Sequence, residues 1–317
     1  MRASRTRGTV SEDSANWAPD AVPVQRFRGH SGADVWLCSD GRDGPLFVRK
    51  IATTAEQGLR LRRQCAKQAI AGKTCIPAPR VLGEGLLDTM YYFDSEYVPG
   101  IAMSEVFSSG RDVDTSRFVD FLMAILRHYD SSKNSTLGSA LFLKKIGDVQ
   151  ERCLKNSILR PHLGRLRHLF SVVHSCPWNG IPASASHGDL TLGNIIEDTS
   201  GRYILIDFDE SGMPTYFQDI GKLFQDLDGE WFLRDNATSA TGAGGVARLS
   251  TQIALSGLRT AFVSRLSSEL SESVPFIRQF AVLHLLRTLP YCRDGEVAEY
   301  VLQRTEVISA RIGEGIS

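Results

Sequence analysis

The chain has 317 residues with 36 Lys and Arg against 36 Asp and Glu, so its formal net charge is zero and the general polyanion-binding signature of nucleic-acid proteins is absent. With 42% hydrophobic and 23% charged residues it has ample material for a core, and at this length two lobes with a cleft between them are expected. No apolar run reaches the roughly 18 residues of a membrane span and the N-terminus lacks a secretory hydrophobic segment, so no membrane association and a cytoplasmic location are expected.

Residues 1–20 are polar and unpatterned, and read as a loosely ordered tail. From Val22 onward β-rich runs follow one another: VQRF, ADVWLC, PLFVRKIA, RVLGEGLL and MYYFDSEYV, punctuated by glycine and proline turns. They predict an antiparallel sheet. One helix interrupts it, TAEQGLRLRRQCAKQAIAG, with Thr54 as candidate N-cap and Gly72 past its end. After Pro99-Gly100 the period changes to helical, in SRFVDFLMAILRHYD, GDVQERCLKNSIL and LGRLRHLFSVVHS. NIIE and YILIDFD then predict a small hairpin. Further helices follow: TYFQDIGKLFQDL, a long one after the Gly-rich linker NATSATGAGG, PFIRQFAVLHLLRTLP and EVAEYVLQRTEVISARI. The expected domains are a tail at 1–20, an N-lobe of sheet plus one helix at 21–98, and a helical C-lobe at 99–317.

The six cysteines, Cys38, Cys65, Cys75, Cys153, Cys176 and Cys292, form no C-x-x-C pair, which argues for reduced thiols and against a zinc site. His162, His168 and His174 recur at a spacing that shares no helix face, so a histidine metal cluster is not expected. Gly72-Lys73-Thr74 mimics a P-loop end, but Lys67 stands where its first glycine belongs.

The chemistry concentrates in His187-Gly188-Asp189-Leu190-Thr191-Leu192-Gly193-Asn194, followed by Ile206-Asp207-Phe208-Asp209. Phosphoryl transfer from ATP to a hydroxyl needs one carboxylate to accept the hydroxyl proton and oxygen ligands that hold Mg²⁺ on the phosphates. Asp189, Asn194 and Asp207 offer that set, and a hairpin could return Asp207 to the loop.

These strings resemble the protein-kinase-like superfamily, and within it the aminoglycoside phosphotransferase and choline-kinase-like small-molecule kinases. H-G-D-x-x-x-x-N stands where protein kinases have H-R-D-x-x-x-x-N, and I-D-F-D where they have D-F-G. The resemblance implies an α+β protein-kinase-like bilobal fold, an antiparallel N-lobe sheet with one helix and a mainly α-helical C-lobe. It implies Asp189 as catalytic base, Asn194 and Asp207 as metal ligands, a structural His187, and Asp219 accepting backbone N–H bonds from the catalytic loop. Asp209 would either touch a second metal or face solvent. Gly29, Ser31 and Gly32 would form the turn over the phosphates, and Lys50, preferred to Arg49 by motif register, would meet the α- and β-phosphates. Backbone groups of Glu96 and Val98 would hold the adenine.

One departure stands out: where the family has a glutamate to pair with Lys50, this helix offers Gln64, Lys67 and Gln68. The leading expectation is an ATP- and Mg²⁺-dependent phosphotransferase acting on a small-molecule hydroxyl, of an aminoglycoside, a choline-like amino alcohol or a sugar. The alternative is a nucleotide-binding pseudokinase that regulates a protein partner. Asp226, Asp228, Glu230 and Asp235, with Trp231 and Phe232, would suit a cationic acceptor. A solvated helix end explains the same residues more simply.

Overall fold

The structure is a computed structural model that describes residues 21–27, 32–41, 44–210, 213–236 and 243–312. The predicted tail at 1–20, Gly29 and Ser31 therefore lie outside the described residues, as does most of the Gly-rich linker. Two compact units are present, residues 1–69 with 79–97, and residues 70–78 with 98–317.

In the first unit, β1 (Ala21–Phe27), β2 (Asp34–Asp40), β3 (Leu46–Ile51), β4 (Val81–Leu87) and β5 (Met90–Glu96) make one antiparallel sheet in the order β1-β2-β3-β5-β4. The α1 helix (Ala55–Ala71) is inserted between β3 and β4. Thr54 caps it, its Oγ1 accepting the Gln57 N–H at 3.2 Å. Burial along β5 alternates, as a half-buried strand requires, and its inward residues Tyr91 and Phe93 pack with Leu61 and Cys65 of α1.

The second unit begins with β6 (Gly100–Ala102) and α2 (Met103–Ser108), short elements that the sequence pattern did not announce. The α3 helix (Thr115–Asp130) buries Phe118, Leu122, Ile125, Leu126 and Tyr129, a three-and-four spacing that makes one apolar face. Between β7 (Ser135–Thr136) and β8 (Pro182–Ala183), a two-residue ribbon, lie α4 (Ser139–Lys155) and α5 (Leu163–Ser175). The predicted hairpin is β9 (Ile195–Asp198) with β10 (Tyr203–Leu205), joined by β6 into a sheet of three strands. The remaining helices are α6 (Tyr216–Leu227), α7 (Ala243–Glu269), α8 (Ile277–Thr288) and α9 (Gly295–Ser309).

The α6 helix organises this unit. It is buried almost all round, polar Gln218, Asp219, Gln225 and Asp226 included. A helix without a wet face lies at the centre of its core, and its polar groups must find partners there. Gly221 lets α8 approach, because a Cβ at that position would stand 2.4 Å from the Phe280 Cβ. All six cysteines are free thiols, only Cys75 being exposed, and no described helix is long and apolar enough to cross a membrane.

Candidate active site

The 187–194 loop owes its shape to α6. Asp219 spends both carboxylate oxygens on it, accepting the His187 N–H at 2.5 Å and the Gly188 N–H at 2.7 Å. Seven residues along the helix, Asp226 accepts the Leu192 N–H at 2.7 Å. Both acids are essentially fully buried, so each trades hydration for charge-assisted bonds to backbone amides. Gly188 sits at φ 90°, a left-handed conformation that the arginine of the protein-kinase motif would adopt only under strain.

His187 is fully buried and structural. Its Nδ1 accepts the Asp189 N–H at 3.3 Å, which leaves Nε2 to donate to the Ile206 carbonyl at 2.9 Å, and its ring packs on Phe208 with centroids 4.4 Å apart. Two backbone bonds, Ile206 N–H to Asn194 O and Asp209 N–H to His187 O, each 3.0 Å, lace the segment after β10 to the loop on either side of Asp207. Asp207 itself is exposed at φ 61°, a region sparsely used by residues other than glycine and common at functional sites. Asp209 is buried at 8% exposure and so does not face solvent.

Asp189 is the open carboxylate of this arrangement, with 36% of its side chain exposed. Lys222 Nζ lies 2.9 Å from Oδ1, and the Asn194 amide nitrogen donates to Oδ2 at 3.0 Å and to the Asp189 carbonyl at 2.8 Å. Burial works to raise the Asp189 pKa, but the charge and hydrogen bond of Lys222, with Arg287 behind it, outweigh burial and hold the carboxyl below its ordinary value. The group is an ionised, fixed, partly open proton acceptor. Sequence reasoning missed Lys222, although a signal existed: it stands three residues after Asp219 on the same helix face, so if Asp219 reaches residues 187 and 188, Lys222 comes beneath residue 189.

In the sheet unit, Arg49 and Lys50 face opposite ways as alternation demands. Arg49 pairs across the sheet with Asp94 in two bonds of 2.7 Å, only 3% of its side chain exposed. Lys50 stands opposite Phe93, on the face that packs against α1, with Nζ 5.6 Å from the ring centroid. Gln68 on α1 is buried, and its amide nitrogen donates to the Pro79 carbonyl at 3.0 Å. Gly32 has φ 80° and its carbonyl accepts from Thr53 Oγ1 at 3.3 Å, which ties the turn before β2 to the start of α1. The Glu96 N–H donates to the Arg80 carbonyl at 2.9 Å and is not available to a ligand. Val98 opens the second unit.

In the acidic group after Asp219, Asp226, Asp228 and Glu230 form neither a solvated helix end nor an open cage for a cation, and the Asp235 side chain lies outside what the structure describes. Asp226 is buried on the loop, Asp228 bonds Arg259 at 2.7 Å, and Glu230 bonds Arg304 at 2.7 Å. Asp228 and Glu230 line a cavity of about 350 Å³ walled by Arg259, Arg278, Arg304 and Arg311. Arginines on α7, α8 and α9, distant in sequence, claim carboxylates that a linear reading assigns to solvent.

Comparison with known proteins agrees with this geometry. The family model of the phosphotransferase enzyme family matches residues 23–252. No curated protein matches by sequence. Among solved structures, LicA in complex with AMP superposes with a TM-score of 0.57 at 15% identity, covering 93% of this chain and 94% of that one. The Plasmodium vivax ethanolamine kinase gives 0.56 at 14% identity, covering 93% and 84%. An aminoglycoside phosphotransferase from Streptomyces rimosus gives 0.50 at 18% identity, covering 84% and 92%. At such identities the likeness is one of fold, an antiparallel five-stranded sheet and a helical remainder in the protein-kinase-like pattern. The family match spans more than half of the sequence, and the chain belongs to the phosphotransferase enzyme family.

Proposed function

We propose that the protein is an ATP- and Mg²⁺-dependent phosphotransferase whose acceptor is the hydroxyl of a small molecule, working in the cytoplasm. The observation that carries this reading is Asp189: an ionised, partly exposed carboxylate aimed by Lys222 and Asn194, on a loop pinned from beneath by Asp219 and Asp226. In that role Asp189 orients the acceptor hydroxyl and takes its proton as the oxygen attacks.

Asn194 and Asp207 fit a hard divalent cation. Because the Asn194 amide turns its nitrogen toward Asp189, its oxygen points the other way, and the exposed carboxylate of Asp207 would be the second ligand. Among the described residues no group of three or more His, Cys, Asp or Glu could hold a metal, so these two oxygens would share the ion with phosphates and water, as Mg²⁺ accepts. Bound there, Mg²⁺ supplies neutralisation of charge on the transferring group. Lys50 and the Gly29, Ser31 and Gly32 turn would take the nucleotide phosphates, and the Glu96 carbonyl and Val98 N–H the adenine edge. A relative of the same fold was solved with AMP, which supports a nucleotide.

The pseudokinase alternative rests on the missing helix glutamate, and the intact Asp189–Asn194–Lys222 arrangement weighs against it. Calorimetric titration with Mg·ATP, followed by ADP release over a panel of hydroxyl compounds, tests the proposal. Metal-dependent nucleotide binding that Asp207→Ala abolishes, and turnover that Asp189→Asn abolishes, are expected. Nucleotide binding indifferent to Mg²⁺ and to both substitutions would refute it.

A further inference from the structure

Around Asp189 the second unit assembles more positive charge than one base needs. Besides Lys222, Arg287 on α8 interacts electrostatically with both Asp189 and Asp209. Lys145 on α4 interacts with Arg287, Arg152, Asp148 and Asp209. Arg152, two turns further along the same face of α4, donates to the Tyr291 hydroxyl at 2.8 Å. Lys222 and Arg287 thus act on Asp189 directly, while Lys145 and Arg152 act on Arg287 from behind, and the acids on this side are Asp189, already engaged by Lys222, the buried Asp209, and the exposed Asp207 and Asp148.

How Arg287 is held is the telling detail. Its guanidinium donates to Nδ1 of His284 at 3.1 Å, and the His284 Nε2 in turn donates to the Gln218 carbonyl at 3.1 Å. His284 has no exposed surface, and burial, reinforced by the charges of Lys222 and Arg287, keeps its pKa well below the ordinary value. A neutral imidazole therefore aims the arginine without neutralising it. Among the described residues neither Arg287 nor Lys145 forms an ion pair. Burial and the like charges of Arg287 and Arg152 pull the Lys145 pKa down to about 8, as expected for a cation lacking a counter-ion.

We infer that the acceptor carries its own negative charge: a hydroxyl compound bearing a carboxylate or a phosphate, which Arg287 and Lys145 bind while Asp189 addresses the hydroxyl. This rests on the phosphotransferase reading and narrows it, replacing the cationic acceptor that the acidic sequence after Asp219 suggested. Positive side chains around the acceptor would repel an aminoglycoside or choline. Arg287 binds through a planar fork suited to both carboxylate and phosphate.

The test titrates wild type, Arg287→Gln, Arg287→Lys and Lys145→Gln with glycerate and with glycerol 3-phosphate, which distinguish the two anions, and with choline and streptomycin as the cationic set. Titrations are made with Mg²⁺ and a non-hydrolysable ATP analogue, then repeated as ADP release with Mg·ATP. At least one anionic alcohol is expected to bind at least tenfold tighter than either cation. Arg287→Gln should weaken it about tenfold and Lys145→Gln about threefold, Arg287→Lys recovering part of the loss, with affinity for the analogue unchanged. Tighter binding of choline or streptomycin, no binding of either anion, or a loss confined to the analogue overturns the inference. Failure of the phosphotransferase reading looks different: anions bind and respond to Arg287→Gln, yet no ADP is released.

Discussion

Two ion pairs, one in each unit, use the same chemistry to opposite ends. In the sheet, Arg49 and Asp94 close on each other through two bonds, and their side chains are 3% and 14% exposed. In the helical unit, Lys222 meets only one oxygen of Asp189, whose side chain is 36% exposed. The first pair has no room for a third party and acts as a clasp between β3 and β5. The second fixes a carboxylate without closing it, as a group that must act on a ligand requires. The contrast also separates Arg49 from Lys50, because the buried pair assigns the arginine to structure and leaves the lysine on the α1 face.

The largest effect expected from breaking this contrast is on Asp189→Asn, which keeps the shape and one of the two bonds from Lys222 and Asn194 but removes the proton acceptor. Phosphoryl transfer should fall about 10³-fold, within the range general-base catalysis supplies, with the melting temperature nearly unchanged. Arg49→Met should do the reverse: chemical denaturation should show about 3–5 kcal/mol lost because Asp94 is left buried without its partner, while turnover per folded molecule persists. Loss of turnover at full stability would remove the distinction drawn between the pairs. Gly221→Ala, which pushes a methyl group into α8, should cost about 1–3 kcal/mol in the same denaturation assay.

The subtlest expectation concerns pH. Lys222 opposes the effect of burial on Asp189, so the base stays ionised well below neutrality and the acid limb of kcat/KM lies below the usual carboxylate range. Lys222→Met removes the largest influence opposing burial and should move that limb upward. A limb that stays in place would mean that Lys222 does not govern Asp189.

Much of this was legible in the linear sequence, for identifiable reasons. Alternation exposed the strands, and the loop and its return strand hold the proposed chemistry within one short stretch, so His187, Asp189, Asn194 and Asp207 stand out by spacing. Asp219 was readable only through family resemblance, and its bonds to the loop follow from a helix buried on all sides. Lys222 was signalled only by its place three residues after Asp219, whereas Lys145, His284 and Arg287 gave no local signal, because each is a single side chain whose meaning comes from helices that meet only in the fold. The acids at 226–230 misled for the same reason: their partners Arg259 and Arg304 lie on helices far along the chain.

The most direct test follows the γ-phosphate itself. Phosphorus NMR of Mg·ATP with the anionic acceptor should show ADP and one phosphate monoester growing together with wild-type protein. With Asp189→Asn, at matched nucleotide occupancy, the ester signal should be absent. Equal ester formation by the variant, or free inorganic phosphate as the sole product of the wild type, would contradict the account.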